Sequence, residues 1–222
     1  MSHNTWIHRV ARVGVRPLVK TAVTPNQITT LRLAVGIAAA IALAVGSDVW
    51  RHWGAGIFLL SMLLDRADGE LARLSGKTSP GGHKYDLISD SVCNALAFLG
   101  LGIGLTASPF GSWAPLMGAV AGLAIAAILW LVIKLEQRGG ERAGELAGAA
   151  GFDPDDAMLV VPICIWFGLS EWLLASAAVG APLFAVFMVL WFRFGPRQAG
   201  SPQASSDPAS GTSDLSRRQA QS

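Results

Sequence analysis

Four aspartates, Asp65, Asp68, Asp86 and Asp90, fall within one 26-residue stretch of a chain whose flanking sequence is strongly apolar. Asp65 and Asp68 are three residues apart, and Asp86 and Asp90 are four apart. On a helix either spacing puts both side chains on one face. The glycine-rich stretch from Gly76 to Gly82 lets two such helices run antiparallel, so that the acidic faces meet in one cluster. Ionised carboxylates at membrane depth cost on the order of 2 to 3 kcal/mol each even on the lenient insertion scale, so a compensating charge is required. Divalent metal is the natural candidate. All-oxygen ligation suits magnesium or manganese rather than zinc, and such ions usually arrive with a phosphorylated substrate. Four carboxylates can serve two ions and leave one carboxylate partly free to accept a proton from an attacking hydroxyl, while the metals stabilise charge on a displaced phosphoryl group. This is the logic of phosphoryl transfer.

Small residues at Gly69, Ala72, Gly81 and Gly82 let a bulky ligand or a neighbouring helix approach the backbone. Arg73 adds a fixed charge whose planar fork can grip a phosphate beside the metals or pair with one of the aspartates.

The elements that must hold these groups are membrane helices. Of the 222 residues, 52% are hydrophobic and 14% charged, against roughly 25% charged in soluble domains. The net charge of +2 gives no footing for a nucleic-acid partner. Cys93 and Cys164 both lie in apolar runs, which supports neither a disulfide framework nor a zinc site. The N-terminal twenty residues lack the short apolar core and cleavage site of a removable signal peptide.

Along the chain, His8, Arg12, Arg16 and Lys20 recur every four residues among Trp6, Ile7, Val10, Val13 and Leu18, the pattern of an amphipathic interfacial helix. Gly14 and Pro17 weaken its continuity. Thr24-Pro25-Asn26 reads as a helix start, with Thr24 as the cap. The helix it opens is the first span, running to about Gly46, and Arg32 lies near its beginning, where a long side chain can reach the interface. The second span begins near Trp50, but its apolar part, Trp53 to Leu64, is too short to cross a bilayer and must continue through the acidic motif. Leu87 to Thr106, Trp113 to Ile133, Ala157 to Leu169 and Trp172 to Phe192 complete six predicted spans in an all-α integral membrane fold. The expected organisation is a juxtamembrane segment over residues 1–23, a six-helix domain over 24–195 and a disordered cytoplasmic tail over 196–222, rich in Ser, Pro and Gln.

Lysine and arginine in short loops mark the cytoplasmic side. Arg9 to Lys20, then Arg66, Arg73, Lys77 and Lys84, then Lys134, Arg138 and Arg142, then Arg193 and Arg197 fall at alternate span ends, with Arg51 alone opposite. Both termini and the acidic motif are therefore expected at the cytoplasmic face.

The motif resembles the signature of the CDP-alcohol phosphotransferases, D-x2-D-G-x2-A-R-x8-G-x3-D-x3-D. Asp65, Asp68, Gly69, Ala72, Arg73, Gly82, Asp86 and Asp90 match it in register, and the looser likeness in span number, basic leader and Thr24-Pro25-Asn26 entry covers about residues 5 to 195. The resemblance implies a site for two magnesium or manganese ions, with Asp65, Asp68 and Asp86 as ligands and Asp90 near the metals as the catalytic general base. It further implies that an acceptor hydroxyl attacks the phosphorus bearing the lipid of CDP-diacylglycerol and CMP leaves. Gly69, Ala72, Arg73, Ser79 and Gly82 would line the CDP-lipid pocket, joined by Asn26 and Thr29 from the first span, roles for which a cap and an ordinary polar helix residue are the competing readings. It also implies a homodimer in a bacterial inner membrane.

Lys134, Arg138, Arg142, Arg193 and Arg197 lie on the motif's side and could bind an acceptor phosphate, although positive-inside topology alone would put them there. The acceptor stays open among polar alcohols and alcohol phosphates. Relatives that move CDP-choline or CDP-ethanolamine onto diacylglycerol share the signature, and a transporter stabilised by structural ion pairs is the alternative from another class.

Overall fold

The computed structural model describes residues 17, 19, 21–137 and 158–194. Arg138, Arg142, Arg197, the segment 139–156, most of the predicted interfacial helix and the tail lie outside these residues. Among the described residues every regular element is helical. They are α1 (Pro25–Ala44), α2 (Asp48–Ser75), α3 (Pro80–Gly104), a short 3-10 turn (Gly111–Trp113), α4 (Ala114–Gln137), α5 (Val160–Trp166) and α6 (Ser170–Phe194).

Local chemistry sets the boundaries that matter for the motif. α1 opens as expected at Thr24, whose extended backbone precedes Pro25 and whose N–H donates to the Gln27 side chain at 2.9 Å. α2 starts at a Ser47 cap and runs unbroken through Asp65 and Asp68, so the short apolar run does continue through the acidic motif. It stops where Gly76 takes a left-handed φ of 65°, a conformation glycine enters without steric cost. Ser79 then caps α3 by accepting from the Gly82 N–H at 3.0 Å, with Pro80 in the first turn. Gly81 and Gly82 belong to α3 rather than to the connecting turn.

Four segments are long and apolar enough to cross a membrane, Pro25–Ala44, Pro80–Gly104, Gly111–Leu131 and Ser170–Trp191. α2 has the length, at 28 residues, but its C-terminal part carries the motif's charges. α5 has seven described residues, well short of a crossing. Length and composition support four of the six expected spans among the described residues. Large apolar side chains such as Ile41, Leu60, Ile103, Leu123 and Leu183 face outward. Such a surface belongs in lipid, and the chain is an integral membrane protein.

α1 packs along both α2 and α3, whereas α2 and α3 touch each other little. The two acidic helices therefore do not close directly on one another, as an isolated antiparallel hairpin would, but meet across α1. Ala39, Leu43, Ala55, Phe58, Ala97, Phe98 and Leu101 form the buried seam. Close approach depends on glycine at Gly36, where a Cβ would sit 3.0 Å from Cys93 Cβ and 3.2 Å from Ser61 Oγ. α4 packs on α3 and α6 on α4, while α5 rests on α2.

Candidate active site

The four aspartates come together at one end of the α1–α2–α3 unit. Asp65 and Asp68 project from α2, and Asp86 lies near the start of α3. One carboxylate oxygen from each of these three lies within 4.8 Å of the others, with Asp68 buried and its two partners half-buried. Three hard oxygens at this spacing fit a divalent cation of the magnesium or manganese type.

Each of the four carboxylates is also gripped from α1. Thr29 Oγ1 donates to Asp68 Oδ2 at 2.7 Å, and both residues are buried. One turn along the same face, Arg32 places Nη1 2.5 Å from Asp65 Oδ1 and 3.1 Å from Asp86 Oδ1, and Nη2 2.5 Å from Asp90 Oδ1. Arg32 is only 2% exposed, so the expectation that it reaches toward the membrane interface is corrected. Its side chain turns inward because a buried cluster of carboxylates attracts a guanidinium more strongly than the interface solvates it. Hydropathy alone could not reveal this, since a single arginine near a span end has an ordinary explanation in snorkelling. The available signal was the i,i+3 spacing of Thr29 and Arg32, which gives α1 a polar face to set against the acidic one.

Asp90 receives both its contacts on Oδ1, from Arg32 and from Asn94 Nδ2 at 3.0 Å. Neither of these contacts engages Oδ2. A cavity of about 10 Å³ is lined by Arg32, Met62, Asp65, Arg66, Asp90, Asn94 and Met158. It offers room for a water-sized group against the carboxylate.

Asn26, Ser79 and Gly82 also meet here. A Cβ at Gly82 would lie 3.0 Å from both Asn26 Oδ1 and Ser79 Oγ, so the bare glycine backbone lets the polar start of α1 face that of α3. Thr30 Oγ1 and Tyr85 Oη, 3.0 Å apart, make a second bridge between these helices. Gly69 is open, with a Cβ position 3.7 Å from Arg73 Nη2. Arg73 pairs with Glu70 at 3.3 Å, rather than with an aspartate, and stays half-exposed. Glu70 is buried, a tether that sequence reasoning missed because it occupies an unspecified position of the motif. Ala72 is half-buried on the same stretch of α2.

Lys134 lies apart, exposed near the C-terminal end of α4, with its ammonium 4.3 Å from the centre of the Trp130 ring. Arg193 falls in the last turn of α6.

A family model described as CDP-alcohol phosphatidyltransferase matches residues 22–192. A curated protein from Rubrobacter xylanophilus, the "Bifunctional IPC transferase and DIPP synthase", is 33% identical over 87 residues. That match covers 39% of this chain and 19% of the relative, so the chain spans only a small part of that protein's length.

Proposed function

Because the chain belongs to the CDP-alcohol phosphatidyltransferase family, we propose that it transfers the phosphatidyl group of CDP-diacylglycerol to a polar alcohol or alcohol phosphate and releases CMP. The observation that carries this reading is the convergence of Asp65, Asp68 and Asp86 within 4.8 Å, with Asp90 held beside them. Asp65, Asp68 and Asp86 would hold the divalent ions, with Asp90 near them. Bound there, two magnesium or manganese ions would supply positive charge to the diphosphate and to the departing phosphoryl oxygen.

The acceptor hydroxyl oxygen forms a bond to the phosphorus bearing the lipid, and the bond from that phosphorus to the bridging oxygen breaks. CMP leaves with the electron pair, and the hydroxyl proton passes to Asp90 Oδ2. Asn26, Thr29, Gly69, Ala72, Ser79 and Gly82 border the donor, and Arg73, steadied by Glu70, grips its diphosphate. Lys134, Arg138, Arg142 and Arg193 are candidate cations for a phosphate on the acceptor.

We assign six membrane crossings to the domain over residues 24–195, with a juxtamembrane segment before it and a cytoplasmic tail after it. The active site faces the cytoplasm, where acceptors and metal are at hand, and the protein works as a homodimer in a bacterial inner membrane. The relative from Rubrobacter xylanophilus favours a second reading, in which the chain carries out one of the reactions named for that protein.

One assay separates these readings. Purified protein in lipid is given CDP-diacylglycerol or a soluble CDP-alcohol, magnesium and a panel of acceptors, with CMP release followed and products identified by mass spectrometry. Release that requires CDP-diacylglycerol and stops on chelation supports the proposal. Release only from a soluble CDP-alcohol overturns CDP-diacylglycerol as the donor, and no release with any pair overturns the proposal.

A further inference from the structure

Arg32 occupies the position a bound cation would contest. Its Nη1 lies within 3.1 Å of Asp65 and Asp86, which are two of the three residues whose oxygens converge, and its Nη2 holds Asp90. The guanidinium is buried, so the attraction is little weakened by water. Its Nε is also buried and has no hydrogen-bond partner among the described residues. Placement of this side chain thus serves the carboxylates at the expense of one of its own donors. Its backbone is fixed independently, since Ser61 Oγ donates to the Arg32 carbonyl at 3.2 Å.

We infer that Arg32 is an electrostatic stand-in for the catalytic cation. It neutralises part of the carboxylate cluster while no metal is bound, keeps α2 and α3 assembled across α1, and competes with the metal for Asp65 and Asp86. This deepens the metal-dependent reading and rests on it. The sign of the effect follows from linkage. A group that stabilises the cation-free state more than the loaded state weakens cation binding, so removing its charge tightens binding while destabilising the empty protein. A purely structural arginine would give equal destabilisation in both states. An arginine that preorganised the ligands would give weaker binding on removal.

Manganese binding to the full chain in detergent, followed by electron paramagnetic resonance, tests this without turnover. Thermal unfolding is measured in parallel with and without manganese. Even with water-like screening, repulsion between a unit and a double charge at this range is worth about tenfold in affinity, so Arg32→Gln should bind manganese about tenfold more tightly than wild type. Its melting temperature should fall without cation and recover substantially with it, whereas Arg32→Lys, which keeps the charge, should stay nearer wild type in both. Equal or weaker binding by Arg32→Gln, or the same loss of melting temperature in both conditions, would overturn the inference. Should Arg32→Gln fold only when manganese is supplied, the inference stands; should manganese fail to restore it, the inference falls. A wild-type protein that binds no manganese defeats the metal reading itself and the inference with it, an outcome visible in the wild-type curve alone.

Discussion

Arg32 Nη2 on α1 and Asp90 Oδ1 on α3 stand 2.5 Å apart, and Asn94 Nδ2 reaches the same oxygen at 3.0 Å. Two donors on one oxygen fix the carboxylate's orientation, and Asp90 also lines the small cavity that it shares with Asp65, Arg66 and Met62. A general base needs this combination of a fixed plane and an accessible lone pair.

Asp90→Asn keeps the shape and one acceptor oxygen but removes the proton acceptor. Turnover should fall by about 10²- to 10⁴-fold, the usual worth of a positioned base. Binding of the CDP-lipid, measured by calorimetry in the presence of magnesium, should change little, because Asp65, Asp68 and Asp86 remain. A variant that turned over at the wild-type rate would remove Asp90 from this role.

Thr29→Val replaces the hydroxyl that donates to Asp68 at 2.7 Å with a methyl group of nearly the same size. Groups that orient a metal ligand from behind typically contribute 10- to 100-fold in metal affinity or activity, so the magnesium concentration giving half-maximal CMP release should rise by about tenfold. Serine at this position should restore most of the loss. Unchanged magnesium dependence in the valine variant would leave Thr29 as an ordinary helix polar residue.

How much of this was legible before the structure differs from feature to feature. The acidic pairs on single faces, the start of α1 at Thr24 and the passage of α2 through the motif all follow from local rules of spacing and capping, and the structure bears them out. The role of α1 between the acidic helices did not follow. Helix periodicity shows that Asp65 and Asp68 share a face, but it does not say which helix that face meets. For that reason the sequence reads Arg32 only as able to reach the interface, and it gives no signal for Glu70, because a lone acid near a run of charges looks solvated until its burial is known. Local apolarity gives six crossings, and four segments among the described residues have the length and composition for one. The apolar run from Ala157 to Leu169 reads as a crossing, whereas its described helix covers only Val160–Trp166.

Gly36 tests the claim that α1 is the organising helix. A methyl group there would lie 3.0 Å from Cys93 Cβ, closer still to its Sγ, and 3.2 Å from Ser61 Oγ, so α1 would be pushed from both neighbours. Gly36→Ala should lower stability by about 1 to 3 kcal/mol, the range for overpacking a close-packed core, read as a drop in the denaturation midpoint in detergent. Cys93→Ala in the same chain removes the nearest atom and should recover part of the loss. Additive or neutral effects of the two substitutions would mean that this contact does not limit the approach of α1 and α3.

Gly82 tests the donor side. Its missing side chain lets Asn26 Oδ1 and Ser79 Oγ converge, each 3.0 Å from where a Cβ would stand. Gly82 lies in the first turn of α3 at an ordinary helical φ, so alanine costs nothing in backbone conformation there and slightly favours the helix. The expected result of Gly82→Ala is therefore a separation of two readouts. The unfolding midpoint should stay close to wild type, while KM for the CDP-linked donor rises by about tenfold as Asn26 is displaced, in keeping with a loss of roughly 1.4 kcal/mol of binding. Asn26→Ala in the Gly82→Ala background relieves the crowding but restores no contact to the donor, so KM should not return to the wild-type value. Recovery of KM in that double variant would mean that Asn26 only obstructs and does not bind.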